Sequence, residues 1–505
     1  MQDTPTGLKT YLTYIDGQWV DANSGKRLLT SDPYTGQPWA EVPDCDATDV
    51  DRAATAAYRA FDEGPWPKLT QTARGRMLRK IAELIEKHAD HLAEIEVRDN
   101  GKLISEMSAQ LKYLPEWYYY YGGLADKIQG AVVPVDKPDH FTYVLKEPVG
   151  VCGMIIPWNS PLLLTGWKLA PALAAGCTAV IKPSEYTSAS LLEFMKLVIE
   201  EADLPPGVVN VVTGYGQTAG EPLVTHPKVA KIAFTGGSAT GSRVASLAGQ
   251  TFKKVSLELG GKSPNIVFDD CIIDDAVSGA VSGIFAATGQ TCIAGSRLLV
   301  QETIHDEFID RLLSVAGTAK LGNPMSFETQ VGPVTTPPQF EKILGYIDIA
   351  KNEGAKCVLG GGPAGAEMGG GKYFVQPTIF TDVDNKMRIA QEEVFGPVLS
   401  VIKFADEDEA TRLANDVMYG LGSGVWTQSI KRATTMAARI RAGTVWVNTY
   451  RAVSFTMPFG GYKNSGIGRE NGQDAIGEYL QTKSVWISNA AGGGNPFVMK
   501  TSSED

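Results

Sequence analysis

Between Val149 and Gly260 the chain repeats one alternation: a short apolar run, a turn, then a stretch with apolar residues at helical spacing. The runs VGVCGMII, TAVIKP, GVVNVVTG, VAKIAFTG and KKVSLELG read as five buried strands. Strands joined in this way by helices imply a doubly wound parallel sheet, whose ligands bind beyond the carboxyl ends of its strands. A second series follows. SPNIVFD, SRLLVQ, KCVLG, PVLSVIKF and GTVWVN read as strands, with helical runs over 304–319, 338–353, 406–418 and 428–441, so a second α/β unit is expected beside the first.

Before Val149 the chain reads as mostly helical, with amphipathic candidates over 48–62, 70–97 and 103–127. Residues 130–147 alternate apolar and polar side chains about a Pro-Asp turn, the pattern of a protruding hairpin. Such a hairpin needs a partner edge. The run YLQTKSVWIS at 479–488 is a candidate for it, in the same chain or in a neighbouring subunit. From Asn489 the tail is Gly-rich and polar, and is expected to be loose.

A chain of 505 residues has room for several structural units with a well-filled core. Its formal charge of −11 disfavours nucleic acid and anionic membrane as partners, because both select clustered Lys and Arg. The longest apolar stretches are interrupted by Gly, Pro or Lys and are too short to span a bilayer. The first residues lack the basic head and apolar run of a secretion signal, which suggests a cytoplasmic protein. Six scattered cysteines without a C-x-x-C pair argue against a disulfide framework and a zinc site, and fit a reduced compartment.

Three residues carry the chemistry. Cys292, in ATGQTCIAGSR, sits between a helix and a strand and is flanked by Gly289 and Gly295, where backbone amides can approach a substrate. A lone cysteine is most often a small buried hydrophobe, so the reading depends on its companions. Glu258 ends an apolar strand in LELGGKSP, where partial desolvation raises a carboxyl towards the working range of a general base. Asn159 in PWNS follows the first strand, and a side-chain amide there can donate to a developing oxyanion. Taken alone, Glu258 reads as a turn cap and Asn159 as a turn former.

Two glycine-rich turns follow strands. TGYGQTAG, with Gly214, Gly216 and Ala219, fits the loose dinucleotide fingerprint, and FTGGSATG, with Gly236, Gly237 and Gly241, presents a helix N-terminus to a pyrophosphate. Lys182 and Glu185 close the strand TAVIK where a ribose would lie. An acid there suits the two hydroxyls of NAD and repels the 2′-phosphate of NADP.

The strings PWN, KPSE, FTGG, ELGGKSP, GQTC, EEVFGP and PFGGYKNSG, in that order, resemble the aldehyde dehydrogenase superfamily over nearly the whole chain. The resemblance implies an NAD-dependent oxidation of an aldehyde to a carboxylic acid through a thiohemiacetal and a thioester. Cys292 would be the nucleophile, Glu258 the general base, and Asn159 with the Cys292 amide the oxyanion hole. Glu258 points to the hydrolytic members, since coenzyme A-acylating relatives commonly lack it. Lys182 and Glu185 would hold the adenosine ribose, with Ser184 beside them; Trp158, Gly236 and Gly237 would border adenine and pyrophosphate. Glu393 would bind the nicotinamide ribose, with Phe395 against the ring. The same resemblance adds Ile155, Ile156, Pro157, Gly214, Phe234, Thr240, Leu259, Gly260 and Gln339 to the cofactor contacts. Many members carry FTGS where this chain has Gly237, which removes one hydroxyl contact to phosphate.

By the same analogy the aldehyde tunnel is lined by Tyr113, Ser160, Leu164, Trp167, Thr291, Ile293, Arg451, Val453 and Phe459. Ser160 is smaller than the aromatic residue often found there and widens the tunnel. Arg451 either meets a distal carboxylate or carbonyl of the substrate or pairs with an acid at a subunit contact. The family also implies a cofactor domain over 1–129 and 148–258, a catalytic domain over 259–462, and a small β arm with the tail over 130–147 and 463–505 that builds homodimers or homotetramers. A thiol hydrolase using the same Cys, Glu and Asn is the first rival, against which the glycine turns and Glu393 weigh. A non-catalytic binding protein on the same fold is the second.

Overall fold

The computed structural model describes residues 8–365, 371–489 and Phe497. The tail expected to be loose after Asn489 lies, apart from Phe497, outside the described residues.

The five expected strands form one parallel sheet in the order Val209–Val211, Thr178–Lys182, Val151–Ile155, Val229–Thr235, Lys254–Glu258. The chain order therefore reverses between Val151–Ile155 and Val229–Thr235, and the crevice beyond those two strands is the place where a doubly wound sheet receives a nucleotide. Gly466–Ile467 adds a short antiparallel strand beside Glu258. Thus part of the segment assigned by sequence to the arm and tail belongs to the edge of this sheet.

The second sheet has seven strands, in the order Lys356–Leu359, Thr378–Thr381, Val398–Phe404, Arg297–Gln301, Pro264–Val267, Gly422–Trp426, Thr444–Val447. All pair in parallel except the first, which is antiparallel to its neighbour. Thr378–Thr381 and Gly422–Trp426 were not among the expected strands. The latter, GSGVW, carries two glycines that weaken a strand pattern. Packing requires them: a Cβ on Gly424 would lie 2.4 Å from the Asn265 Oδ1.

The N-terminal region departs from the mostly helical expectation. Residues 9–43 form five short strands, including the hairpin Thr13–Ile15 with Gln18–Val20. Its turn is Asp16-Gly17, both at positive φ (57° and 77°), the backbone that suits a two-residue hairpin. Helices then follow at Ala47–Asp62 and Gln71–Asn100. The single helix expected over 103–127 is two, Ile104–Tyr113 and Pro115–Leu124, because Pro115 has no amide hydrogen to continue the ladder and instead opens the second helix.

The hairpin Ala131–Val132 with His140–Pro148 finds its partner edge in the same chain. Leu480–Ser488 pairs antiparallel with His140–Pro148 along all nine residues, from Leu480 opposite Pro148 to Ser488 opposite His140. Among the described residues, no helix is long and apolar enough to cross a membrane.

Candidate active site

A cavity of about 470 Å³ lies where the carboxyl ends of three first-sheet strands meet loops of the second sheet. Pro157 to Ser160 follow the Val151–Ile155 strand, Gly236 and Gly237 follow Val229–Thr235, and Glu258 to Gly260 close Lys254–Glu258. Cys292, Glu258 and Asn159 all stand on its wall.

Cys292 is carried by a strained loop. After the helix Ile273–Phe285, Ala287, Thr288 and Gly289 take positive φ in succession (51°, 55° and 68°). Non-glycine residues in that region cost stability unless their surroundings enforce it. Here the Ala287 amide donates to Glu106 Oε1 at 2.6 Å, the Thr288 hydroxyl to the Gly332 carbonyl at 3.1 Å, and the Thr335 amide to Gln290 Oε1 at 3.0 Å. A Cβ on Gly289 would fall 2.1 Å from the Gly396 carbonyl oxygen, so only glycine fits. The thiol itself is half-buried and pushed up to about 12, by desolvation first and then by the Glu393 and Glu258 carboxylates; the Ile293 and Cys292 amides pull the other way.

Glu258 is 3 % exposed, and neither carboxylate oxygen has a hydrogen-bond partner among the described residues. Desolvation, then the nearby Glu470 carboxylate, hold its pKa well above the carboxylate range, against the pull of Lys168 and Arg469. Glu470 is in turn ion-paired with the fully buried Lys168, whose ammonium also donates to Thr235 Oγ1 at 2.6 Å. Asn159 is oriented from both sides: its side-chain amide donates to the Gln290 carbonyl at 3.0 Å, and its own carbonyl accepts from Asn100 at 3.4 Å.

The residues present fit a dinucleotide. Gly237 opens the helix Ser238–Gly249 with extended backbone and no side-chain cap, and a Cβ there would meet nothing within 4 Å, so the helix N-terminus is open to an anion. A Cβ on Gly260 would lie 2.5 Å from Glu393 Oε2, and Gly261 donates to Glu393 Oε1 at 3.0 Å. Glu393 is thereby presented at the cavity wall. Gln339 donates to the carbonyls of Val394 and Phe395 at 2.8 and 2.9 Å, fixing the loop that holds Phe395 edge-on to Trp158 at 5.3 Å.

Pro157, Trp158, Gly236, Gly237, Leu259, Gly260, Gln339, Glu393 and Phe395 line this cavity; Ile155, Ile156, Lys182, Ser184, Glu185, Gly214, Phe234 and Thr240 do not. Lys182 and Glu185 stand together at 3.7 Å at the end of their strand. Thr240 is exposed on the Ser238–Gly249 helix. The two glycine turns are separated: FTGG follows the strand at the reversal point, while TGYG follows the sheet's edge strand. Gly214 there clears a backbone neighbour, since a Cβ would lie 2.7 Å from the Cys45 carbonyl oxygen.

All nine residues expected in the aldehyde tunnel line the cavity. Trp117 and Trp167 stack at 6.0 Å and Phe459 meets Trp167 at 5.1 Å, making an aromatic wall. Arg451 donates to the Ser282 carbonyl at 3.0 Å and forms no ion pair with an acid among the described residues. Sequence reasoning missed Lys102, Gln110, Trp117, Lys342 and Glu470, which share the same wall. Gln110 and Trp117 flank Tyr113 at helical spacing, and that periodicity was the available signal.

Comparison with known proteins agrees with this geometry. The model of the aldehyde dehydrogenase family matches residues 19–485. A (Z)-2-((N-methylformamido)methylene)-5-hydroxybutyrolactone dehydrogenase of Acinetobacter baylyi is 47 % identical over 98 % of this chain and 100 % of its own length. An aldehyde dehydrogenase 1A1 of Ovis aries is 46 % identical over 96 % of this chain and 98 % of its own. Among solved structures, betaine aldehyde dehydrogenase of Staphylococcus aureus in complex with NAD+ has a TM-score of 0.95 at 40 % identity, covering 97 % of both chains. With a family match of that length and relatives of that identity, this chain belongs to the aldehyde dehydrogenase family.

Proposed function

We propose that this NAD-dependent aldehyde dehydrogenase oxidises its substrate through a covalent intermediate on Cys292, with Glu258 as general base and Asn159 as oxyanion donor. The observation that carries the reading is that the three side chains share one cavity with Gly236, Gly237 and Glu393.

Sulfur attacks the aldehyde carbon and forms a thiohemiacetal. The thiol needs a base, because burial and two carboxylates hold it protonated at neutral pH. Glu258 suits that task, since the desolvation that raises its own pKa makes its ionised form a stronger proton acceptor than an exposed carboxylate. One N–H of Asn159 is spent on Gln290; the other, with the Cys292 amide, is left to the oxyanion, an interaction of about 3 kcal/mol per donor. NAD, when bound, supplies the hydride acceptor. Water deprotonated by Glu258 then cleaves the Cys292 thioester and releases the acid. Lys182, Ser184 and Glu185 hold the adenosine ribose, and Ile155, Ile156, Phe234, Gly214 and Thr240 border the outer part of the nucleotide site.

The substrate is polar or carries a carboxylate. Arg451 on the wall supports this, as does the oxygen-rich lactone in the name of the Acinetobacter relative. A quaternary ammonium, as in the Staphylococcus enzyme's name, is disfavoured by the cations Lys102 and Arg451 on the same wall. The residues around the first sheet, 1–129 and 148–258 with the added strand Gly466–Ile467, form the cofactor domain, 259–462 the catalytic domain, and 130–147 with the rest of 463–505 the arm and tail. The arm joins two or four copies in the cytoplasm, a compartment that suits the free cysteines.

Incubation with NAD and an aldehyde, followed as NADH, tests the reading. Wild type is expected to turn over, Cys292→Ala to be inactive, and Glu258→Gln to be slow with NAD affinity nearly intact. Normal NADH production by the alanine variant overturns the covalent mechanism, and ester hydrolysis without NAD-dependent oxidation favours a thiol hydrolase.

A further inference from the structure

One cluster on the cavity wall has no part in the mechanism above. Lys102, 5 % exposed, donates to the Ser160 hydroxyl at 2.6 Å. That hydroxyl donates to Gln110 Oε1 at 3.4 Å, and the Gln110 amide donates to the buried Glu96 carboxylate, also at 3.4 Å. Because the hydroxyl proton faces Gln110, Ser160 offers Lys102 a lone pair and fixes the direction of the ammonium. An ammonium has three donors. The bond to Ser160 is the one the Lys102 ammonium makes among the described residues, which leaves two of its donors on the wall of the cavity.

The charges around it are arranged unevenly. Lys102 and Arg451 line the cavity together with Glu258, Glu393 and Glu470, whereas Glu106 and Glu96, the carboxylates that act on the Lys102 charge, do not. Glu106 accepts from the Ala287 amide through Oε1, while its Oε2 makes no hydrogen bond among the described residues. A cation held out of water with donors unfilled is costly unless something accepts from it. The small side chain at position 160 leaves room for that acceptor to arrive with the substrate.

We propose that Lys102, steered by Ser160 and Gln110, anchors a carboxylate oxygen at the distal end of the aldehyde substrate and so selects oxo acids over plain alkyl aldehydes. The proposal rests on the oxidation described above and adds to Arg451 a second anchor on a different element. Lys102 is a binding residue here. A purely structural role, as counter-ion to Glu96, would alter stability and all substrates together.

The test measures kcat/KM with NAD for 4-oxobutanoate and 6-oxohexanoate against butanal and hexanal, in wild type, Lys102→Met and Ser160→Phe. Wild type is expected to prefer at least one oxo acid over the alkyl aldehyde of the same length. In Lys102→Met that preference falls by about tenfold or more, the effect of losing a hydrogen bond to a charged group. Ser160→Phe fills the space before the ammonium and removes the preference in a second way, which keeps the proposal open to refutation if the methionine variant does not fold. Equal losses on both aldehyde classes, or a preference that survives both substitutions, overturn the anchor while leaving the dehydrogenase reading intact. Absence of NADH with every aldehyde defeats that reading itself.

Discussion

The side-chain amide of Asn159 donates to the carbonyl of Gln290, two residues before Cys292, at 3.0 Å. This bond joins the loop after the first strand of one sheet to the Cys292 loop of the other. It also fixes the direction of the second amide hydrogen. Asn159→Ala is expected to lower kcat by about 10²–10³-fold, the usual consequence of losing one oxyanion donor. Alkylation of Cys292 by iodoacetamide, which forms no oxyanion, is expected to change far less. Parallel losses in both reactions would mean that Asn159 only shapes the loop.

Glu393 leads the carboxylates that keep the Cys292 thiol protonated. Removing a negative neighbour favours the thiolate, so Glu393→Gln is expected to move the alkylation rate profile of Cys292 to lower pH. Cys271 and Cys357 are also partly accessible, so the modification has to be followed on the Cys292 peptide by mass spectrometry. An unshifted profile in the variant would contradict the electrostatic account.

Much of this site was legible in the sequence because its residues sit at strand ends. Asn159, Gly236 and Glu258 each follow or close a buried apolar run, and the topology of a parallel sheet brings such ends to one edge. Lys168 and Glu470 were not legible. They meet across 302 residues of chain, the first within a helix that reads as ordinary apolar packing and the second in a loop. Lys102 escaped for a similar reason: nothing local shows that its ammonium turns towards Ser160. The strand Gly422–Trp426 was hidden because its glycines answer to neighbours, Asn265 and Trp446, rather than to strand propensity.

Arg297 is fully buried in the second sheet and uses all three guanidinium nitrogens. It donates to the carbonyls of Lys262, Leu413 and Ala414 and to Asn385 Oδ1, at 2.7 to 3.0 Å. A lysine keeps the charge but not the planar fork, and strands at least one buried acceptor. Arg297→Lys is therefore expected to cost about 3 kcal/mol, read as a lower unfolding midpoint. A midpoint equal to wild type would show that the ammonium finds the same acceptors.

The three-stranded arm ends in an edge beside which no further strand pairs among the described residues. Its outer strand, Leu480–Ser488, pairs on one side only, with His140–Pro148. Opposite residues share a face of the sheet, so Phe141 lies beside Ile487 and Leu145 beside Lys483. Phe141, Leu145 and Ile487 are nevertheless exposed, at 46 %, 38 % and 45 %. A strand edge beside an apolar face is a template for another strand, and native proteins cover or blunt such edges. Covering by a second copy of the chain satisfies both the edge and the face. Phe141→Glu combined with Ile487→Lys adds charge to that face without breaking the pairing within the chain, and the two new side chains stand opposite each other with opposite sign. The expected outcome is a smaller assembly by light scattering, with the far-ultraviolet circular dichroism of wild type. A wild-type mass equal to that of one chain, or a double variant that assembles as before, would leave the arm without this role.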